Sequence, residues 1–80
     1  MYYAYILRCA DDTLYCGCTN DLKKRLHMHN HAKAGAKYTK ARRPVLLVHS
    51  ERFGTLARAR AREAALKRLT RVQKWAVIRA

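Results

Sequence analysis

Glu63, Arg25 and His29 have side-chain types and spacings suited to chemistry on a phosphate group. On a helical wheel at roughly 100° per residue, Glu63 falls between Leu56 and the pair Ala59 and Leu66, inside an apolar stripe. A carboxylate facing a core edge has to be satisfied by a partner, by water or by a metal. Arg60 and Lys67, three and four residues away, are within helical reach for an ion pair. Yet Glu63 is the only acidic residue from Arg52 to Ala80, among nine Lys and Arg, and an exposed position would serve a salt bridge better. A lone carboxylate also suits Mg²⁺ (or Mn²⁺) when a substrate brings its own phosphate oxygens, because this ion keeps much of its water shell. Arg25 and His29 are four residues apart beside Leu22 and Leu26, so a helix would put a cation and a titratable base on one face. Arginine can hold phosphate bidentately and stabilise charge in a transition state, and histidine can exchange a proton near neutral pH.

The elements that must carry these groups can be read from pattern. Residues 2–8 are aromatic and aliphatic with β character, residues 13–18 read as a second strand, and Ala10-Asp11-Asp12 between them is turn chemistry. Thr19 and Asn20 can cap a helix running to about His31, with Asp21 in its first turn. Residues 32–43 read as a basic loop, and Pro44 opens a third strand over Val45 to Ser50. Thr55 can cap a long helix to about Leu69, and Thr70 a last one in which Val72, Trp75 and Ile78 cap the core. The expected fold is α+β, a small three-stranded antiparallel β-sheet flanked by helices in the order ββαβαα, as one domain over residues 1–80.

With 80 residues there is room for one small core, and an apolar fraction of 50% argues against disorder. Eighteen Lys and Arg against five Asp and Glu leave a formal charge of +13, which repels itself and calls for a polyanionic partner. DNA is the first expectation and RNA the second; a membrane face is disfavoured because the cations are spread over every segment. Val45 to Val48, the longest aliphatic run, is far below the roughly 18–20 residues that cross a bilayer. Three cysteines and a first segment unlike a signal peptide point to reduced thiols and a cytoplasmic setting. Cys9, Cys16 and Cys18 lack standard zinc spacing and read as small buried hydrophobes, and His27 with His31 gives only a weak metal signal. Lys37, Tyr38, Lys40, Arg42 and Arg43 in the basic loop, with Lys24 on the first helix, mix phosphate-binding cations with an aromatic ring, as a nucleic-acid surface would.

Tyr3-Ala4-Tyr5, then Tyr15-Cys16-Gly17 ten residues after Tyr5, then Thr19 to Leu22 leading to Arg25 and His29-Asn30, together resemble the GIY-YIG nuclease domain in its small stand-alone form. Gly35 to Thr39, Arg43-Pro44 and the helix bearing Glu63 continue the likeness over nearly the whole chain. The resemblance implies divalent-metal-dependent cleavage of DNA phosphodiesters, with structured or damaged DNA as substrate. It implies metal binding at Glu63, phosphate contact at Arg25, nucleic-acid binding at Asn30, a site lined by Tyr5 and Tyr15, one of which activates water, and a role for His29. Gly17 matches a glycine whose missing side chain would let backbone and phosphate approach closely. The first motif departs from Gly-Ile-Tyr and the second carries Cys16 for isoleucine, but both tyrosines stay in place. Longer relatives carry a separate recognition domain, so a protein partner could supply specificity. A non-catalytic nucleic-acid-binding module with the same fold is the competing expectation.

Side chains alternate across a strand, so Tyr5 and Tyr15 share a face only if an odd-length turn joins their strands. That odd turn is predicted.

Overall fold

The computed structural model describes residues 1–31 and 37–80, with Lys37 and Tyr38 by backbone alone. Two antiparallel strands, β1 (Tyr2–Arg8) and β2 (Leu14–Thr19), form where the aromatic and aliphatic residues were read. The turn between them is short. Asp12 N–H donates to the Cys9 carbonyl at 2.9 Å and Cys9 N–H to the Thr13 carbonyl at 2.8 Å, leaving three residues at the tip. Asp12 takes a positive φ of 66°, a conformation aspartate tolerates better than most side chains. The odd count sets Tyr5 opposite Gly17 and Leu7 opposite Tyr15, so both tyrosines occupy the same face, as predicted.

Helix α1 (Leu22–His31) follows, then the short α2 (Lys37–Lys40), then β3 (Leu46–Phe53), which pairs antiparallel with the other side of β1. The sheet order is β2-β1-β3, so β1 is buried between two neighbours. Helices α3 (Leu56–Arg68) and α4 (Arg71–Arg79) complete the α+β fold. Leu22 and Leu26 of α1 pack on the face carrying Tyr5, Leu7, Cys9 and Val45. On the other face Leu66 of α3 meets Ala4, Ile6 and Cys16, and Val77 and Ile78 of α4 close that core. No disulfide joins the three cysteines; Cys9 and Cys16 are buried. No helix among the described residues is long and apolar enough to cross a membrane.

Thr55 and Thr70 cap α3 and α4 as expected, Thr70 through a reciprocal pair with Gln73. Four expectations need correction. Asp21, rather than Thr19 or Asn20, caps α1: its carboxylate accepts from Lys24 N–H at 3.0 Å, while Thr19 accepts from Asp21 N–H. The basic loop contains one helical turn, α2, and β3 extends to Phe53 because β1 offers partners along its whole length. In α4, Val72 is 78% exposed and Trp75 is half-buried, flanked by the guanidinium groups of Arg71 and Arg79 at 5.9 and 5.5 Å. The helix thus seals the core with Val77 and Ile78.

Polar side chains lock α1 to the sheet. Val45 N–H donates to Asn30 Oδ1 at 2.7 Å and Asn30 Nδ2 donates back to the Val45 carbonyl at 3.1 Å, so an amide completes backbone pairing where β3 has not yet begun. Arg43 donates to the carbonyl oxygens of His29 and Met28, satisfying the C-terminal end of α1. Arg42 Nε donates to Asp11 Oδ2 at 3.0 Å, tying the same segment to the hairpin tip. Glu51 on β3 binds Arg62 of α3 at 3.0 and 3.1 Å and His49 at 2.7 Å. Asn30→Ala strands the buried Val45 N–H, and urea titration is expected to show a loss of about 1–3 kcal/mol. Thr70→Ala, which removes only an exposed cap, is expected to cost about 1 kcal/mol.

Candidate active site

Tyr5 reaches its position because residue 17 has no side chain. A Cβ built on Gly17 would lie 2.3 Å from Tyr5 Oη and 2.4 Å from Cζ, far inside van der Waals contact. The space over Gly17 therefore holds the Tyr5 phenol, where a close approach of phosphate to backbone was expected. Lying there, Tyr5 Oη is 3.0 Å from His29 Nε2 of α1. The other ring nitrogen, Nδ1, is 2.8 Å from Thr39 Oγ1 of α2. Tyr15 completes the cluster, its ring edge-on to His29 with centroids 5.3 Å apart. Tyr5 and His29 are buried; Tyr15 is half-buried.

The surroundings hold the two buried groups uncharged. Burial raises the Tyr5 pKa most, nearby Tyr15 and Glu63 add to the rise, and Arg25 opposes it. Burial also depresses the His29 pKa, with the positive charges of Arg25 and Arg43 in the same direction. Arg25 is exposed and lines a cleft of about 280 Å³ with Lys24, Asn20 and Asp21. Glu63 is half-buried, and its Oε2 is 3.0 Å from Lys67 Nζ, so the expected helical ion pair is made with Lys67. This hydrogen bond to Glu63 is the main cause of a raised Lys67 pKa. Cys18 links the elements electrostatically. Burial raises its pKa first, Glu63 adds to this, and Arg60 and Arg25 oppose it. The arginine of α1 and the carboxylate of α3 therefore both act on one thiol of β2.

Tyr5, Tyr15, Arg25, His29 and Glu63 thus sit on β1, β2, α1 and α3, with Tyr5, Tyr15 and His29 in mutual contact on the α1 face. Several residues expected on a nucleic-acid surface have other employment: Asn30 clamps Val45, Arg43 caps α1 and Arg42 pairs with Asp11. Lys40 is exposed, and the side chains of Lys37 and Tyr38 lie outside the described residues. Thr39 was missed by pattern reading, since a threonine among lysines carries no signal of contact with a histidine ten residues away. Among the described residues no group of three or more His, Cys, Asp or Glu side chains could hold a metal. A single carboxylate fits a hydrated Mg²⁺ that takes its other oxygens from water and substrate, and the Lys67 ammonium already places positive charge at that oxygen.

Two outcomes test this geometry. Gly17→Ala must displace the Tyr5 ring, with an expected loss of about 1–3 kcal/mol in chemical denaturation. The folded-state pKa of His29 lies below its ordinary value of 6.5. The unfolded chain thus binds a proton first as pH falls, so the His29 contribution is complete above 6.5 and is lost below it. Asp11, held low chiefly by its hydrogen bond from Thr13, and Glu51, held low by Arg62 and His49 against burial, lose their contributions only at more acid pH. Urea midpoints at about pH 7.5 and 5.5 should therefore differ in the wild type and converge in His29→Gln.

The chain is similar to known proteins over nearly its whole length. The family model for the GIY-YIG catalytic domain matches residues 1–75. A UPF0213 protein of Syntrophus aciditrophicus is 51% identical over 77 residues, covering 96% of this chain and 88% of the relative. A UPF0213 protein of Bacillus velezensis is 53% identical over 73 residues, covering 91% and 73%. The solution NMR structure of a UPF0213 protein from Bacillus halodurans superposes with a TM-score of 0.61 at 37% identity, covering 98% of this chain and 83% of that one. That of a protein from E. faecalis superposes with a TM-score of 0.60 at 47% identity, covering 91% and 77%. With a family model matched over residues 1–75 and a three-stranded antiparallel sheet flanked by helices, the chain belongs to the GIY-YIG catalytic domain family.

Proposed function

We propose that this protein is a divalent-metal-dependent endonuclease that hydrolyses phosphodiester bonds in structured, branched or damaged DNA. The observation that carries the reading is the cluster of Tyr5, Tyr15 and His29 on one face of the sheet, with Arg25 of the same helix as His29 lining a pocket with Tyr5 and an exposed cleft with Lys24. Arg25, exposed at the mouth of a cleft with Lys24, holds the scissile phosphate by paired N–H donors and balances charge as it develops. Tyr15, the more accessible of the two tyrosines, faces the attacking water. Tyr5, held as a neutral phenol, orients that water. His29, with both ring nitrogens engaged and little contact with solvent, positions Tyr5 instead of meeting substrate. Glu63 would hold the metal in place of its ion pair with Lys67, and the metal would supply charge stabilisation at the leaving oxygen.

The charge of +13 supplies salt-dependent affinity for DNA, with RNA as a weaker competitor, and a protein partner selects the DNA structure. A binding module without catalysis is favoured by one observation, the occupation of Glu63 by Lys67.

Cleavage of labelled single-stranded, duplex, flap and branched DNAs separates the readings. Cutting should require Mg²⁺ or Mn²⁺, stop with chelator, and fall on the order of 100-fold or more in Glu63→Ala and in Arg25→Ala. Cutting that survives both substitutions would place the activity elsewhere. Tight binding with no cutting would favour the module. In the same DNAs Lys24→Ala should lower the salt slope of binding by about one unit.

A further inference from the structure

The Tyr5 hydroxyl hydrogen has few places to go. Tyr5 is 3% exposed, and a buried O–H left without an acceptor costs about 1–3 kcal/mol. Among the described residues the hydrogen-bond partner of Tyr5 Oη is His29 Nε2. If Nε2 carried the ring proton, two hydrogens would face each other or the phenol hydrogen would be stranded. The phenol therefore donates, and Nε2 is the bare nitrogen. His29 is 2% exposed and uncharged, so its single ring proton sits on Nδ1, which points at Thr39 Oγ1 at 2.8 Å. A threonine hydroxyl can accept from Nδ1 and still donate its own hydrogen elsewhere.

We infer that Thr39 is a positioning residue: by accepting the Nδ1 proton it fixes the His29 tautomer and thereby makes Tyr5 a donor to the ring and only an acceptor toward the reaction centre. A threonine on α2 thus determines which way a phenol on β1 presents itself. With its hydrogen committed to His29, Tyr5 Oη keeps lone pairs to accept a further hydrogen bond. When substrate binding brings water to Oη, Tyr5 accepts from it and does not donate to a phosphate oxygen, because its own hydrogen is already held by His29. The catalytic consequence rests on the nuclease reading above; the tautomer does not.

Long-range ¹H–¹⁵N correlation spectra of the protein labelled at histidine nitrogen report the tautomer directly. Wild type and Thr39→Ser are expected to show a protonated Nδ1 and a bare, hydrogen-bonded Nε2 on His29. Thr39→Val, which keeps the shape and removes the acceptor, is expected to move the proton to Nε2 in part or whole. Tyr5→Phe should leave Nδ1 protonated and shift Nε2 alone, which keeps the test decisive if the valine variant does not fold. A protonated Nε2 in the wild type, or an unchanged pattern in folded Thr39→Val, overturns the inference. In cleavage, Thr39→Val should lower kcat by roughly 10–100-fold with KM little changed, and Thr39→Ser should restore it. If the wild type cuts and the tautomer moves without any loss of kcat, the positioning role is overturned while the hydrogen-bond assignment stands. A wild type that cuts nothing overturns the nuclease reading and leaves the spectra to decide Thr39.

Discussion

The Tyr5 phenol lying across Gly17 and meeting His29 is the constraint from which the rest of the site follows. It joins β1 to β2 through a glycine that must stay bare, and β1 to α1 through a buried hydrogen bond. His29 carries the link on to α2. A polar chain of this kind stabilises only when every member is satisfied, since each buried polar atom left alone costs more than a typical bond contributes. Among the described residues no buried side-chain nitrogen or oxygen lacks a partner.

Excess positive charge sets a second condition. Only five carboxylates are present, and each has a defined place. Asp11 holds the hairpin tip with Thr13 and Arg42, Asp12 pairs with Arg8, Asp21 caps α1, and Glu51 bridges β3 to Arg62. Glu63 is the exception in kind: its partner is a half-exposed lysine one turn along the same helix, an arrangement worth a few tenths of a kcal/mol. A half-buried carboxylate held this loosely can exchange its cation for another without disturbing the fold. The arginines, by contrast, divide between tasks. Arg42, Arg43 and Arg62 are bound into the structure, whereas Arg25 stays exposed above a cleft.

The order of elements along the chain, the odd turn, three of the four helices and the placement of Glu63 at a core edge were legible because each depends on local pattern: alternation, caps and helical period. The α1 cap was misplaced by one or two residues because Thr19, Asn20 and Asp21 all have capping chemistry. Only the backbone path selects Asp21, with Thr19 supporting it. Asn30 and Arg43 looked like nucleic-acid contacts because an exposed amide or guanidinium and a buried one are identical in sequence. Their employment on Val45 and on the end of α1 depends on a chain crossing fifteen residues away.

The sequence by itself determined the class of fold, the charge and the family, since these depend on residue type and local spacing, and it supplied the candidate groups for phosphate and metal. Only the tertiary structure decided how those groups divide. Burial makes Tyr5 and His29 neutral partners of one another, leaves Tyr15 and Arg25 toward solvent, and brings Thr39 into the cluster. The reason is physical: burial and long-range hydrogen bonds depend on which segments meet in space, and spacing along the chain does not encode that meeting.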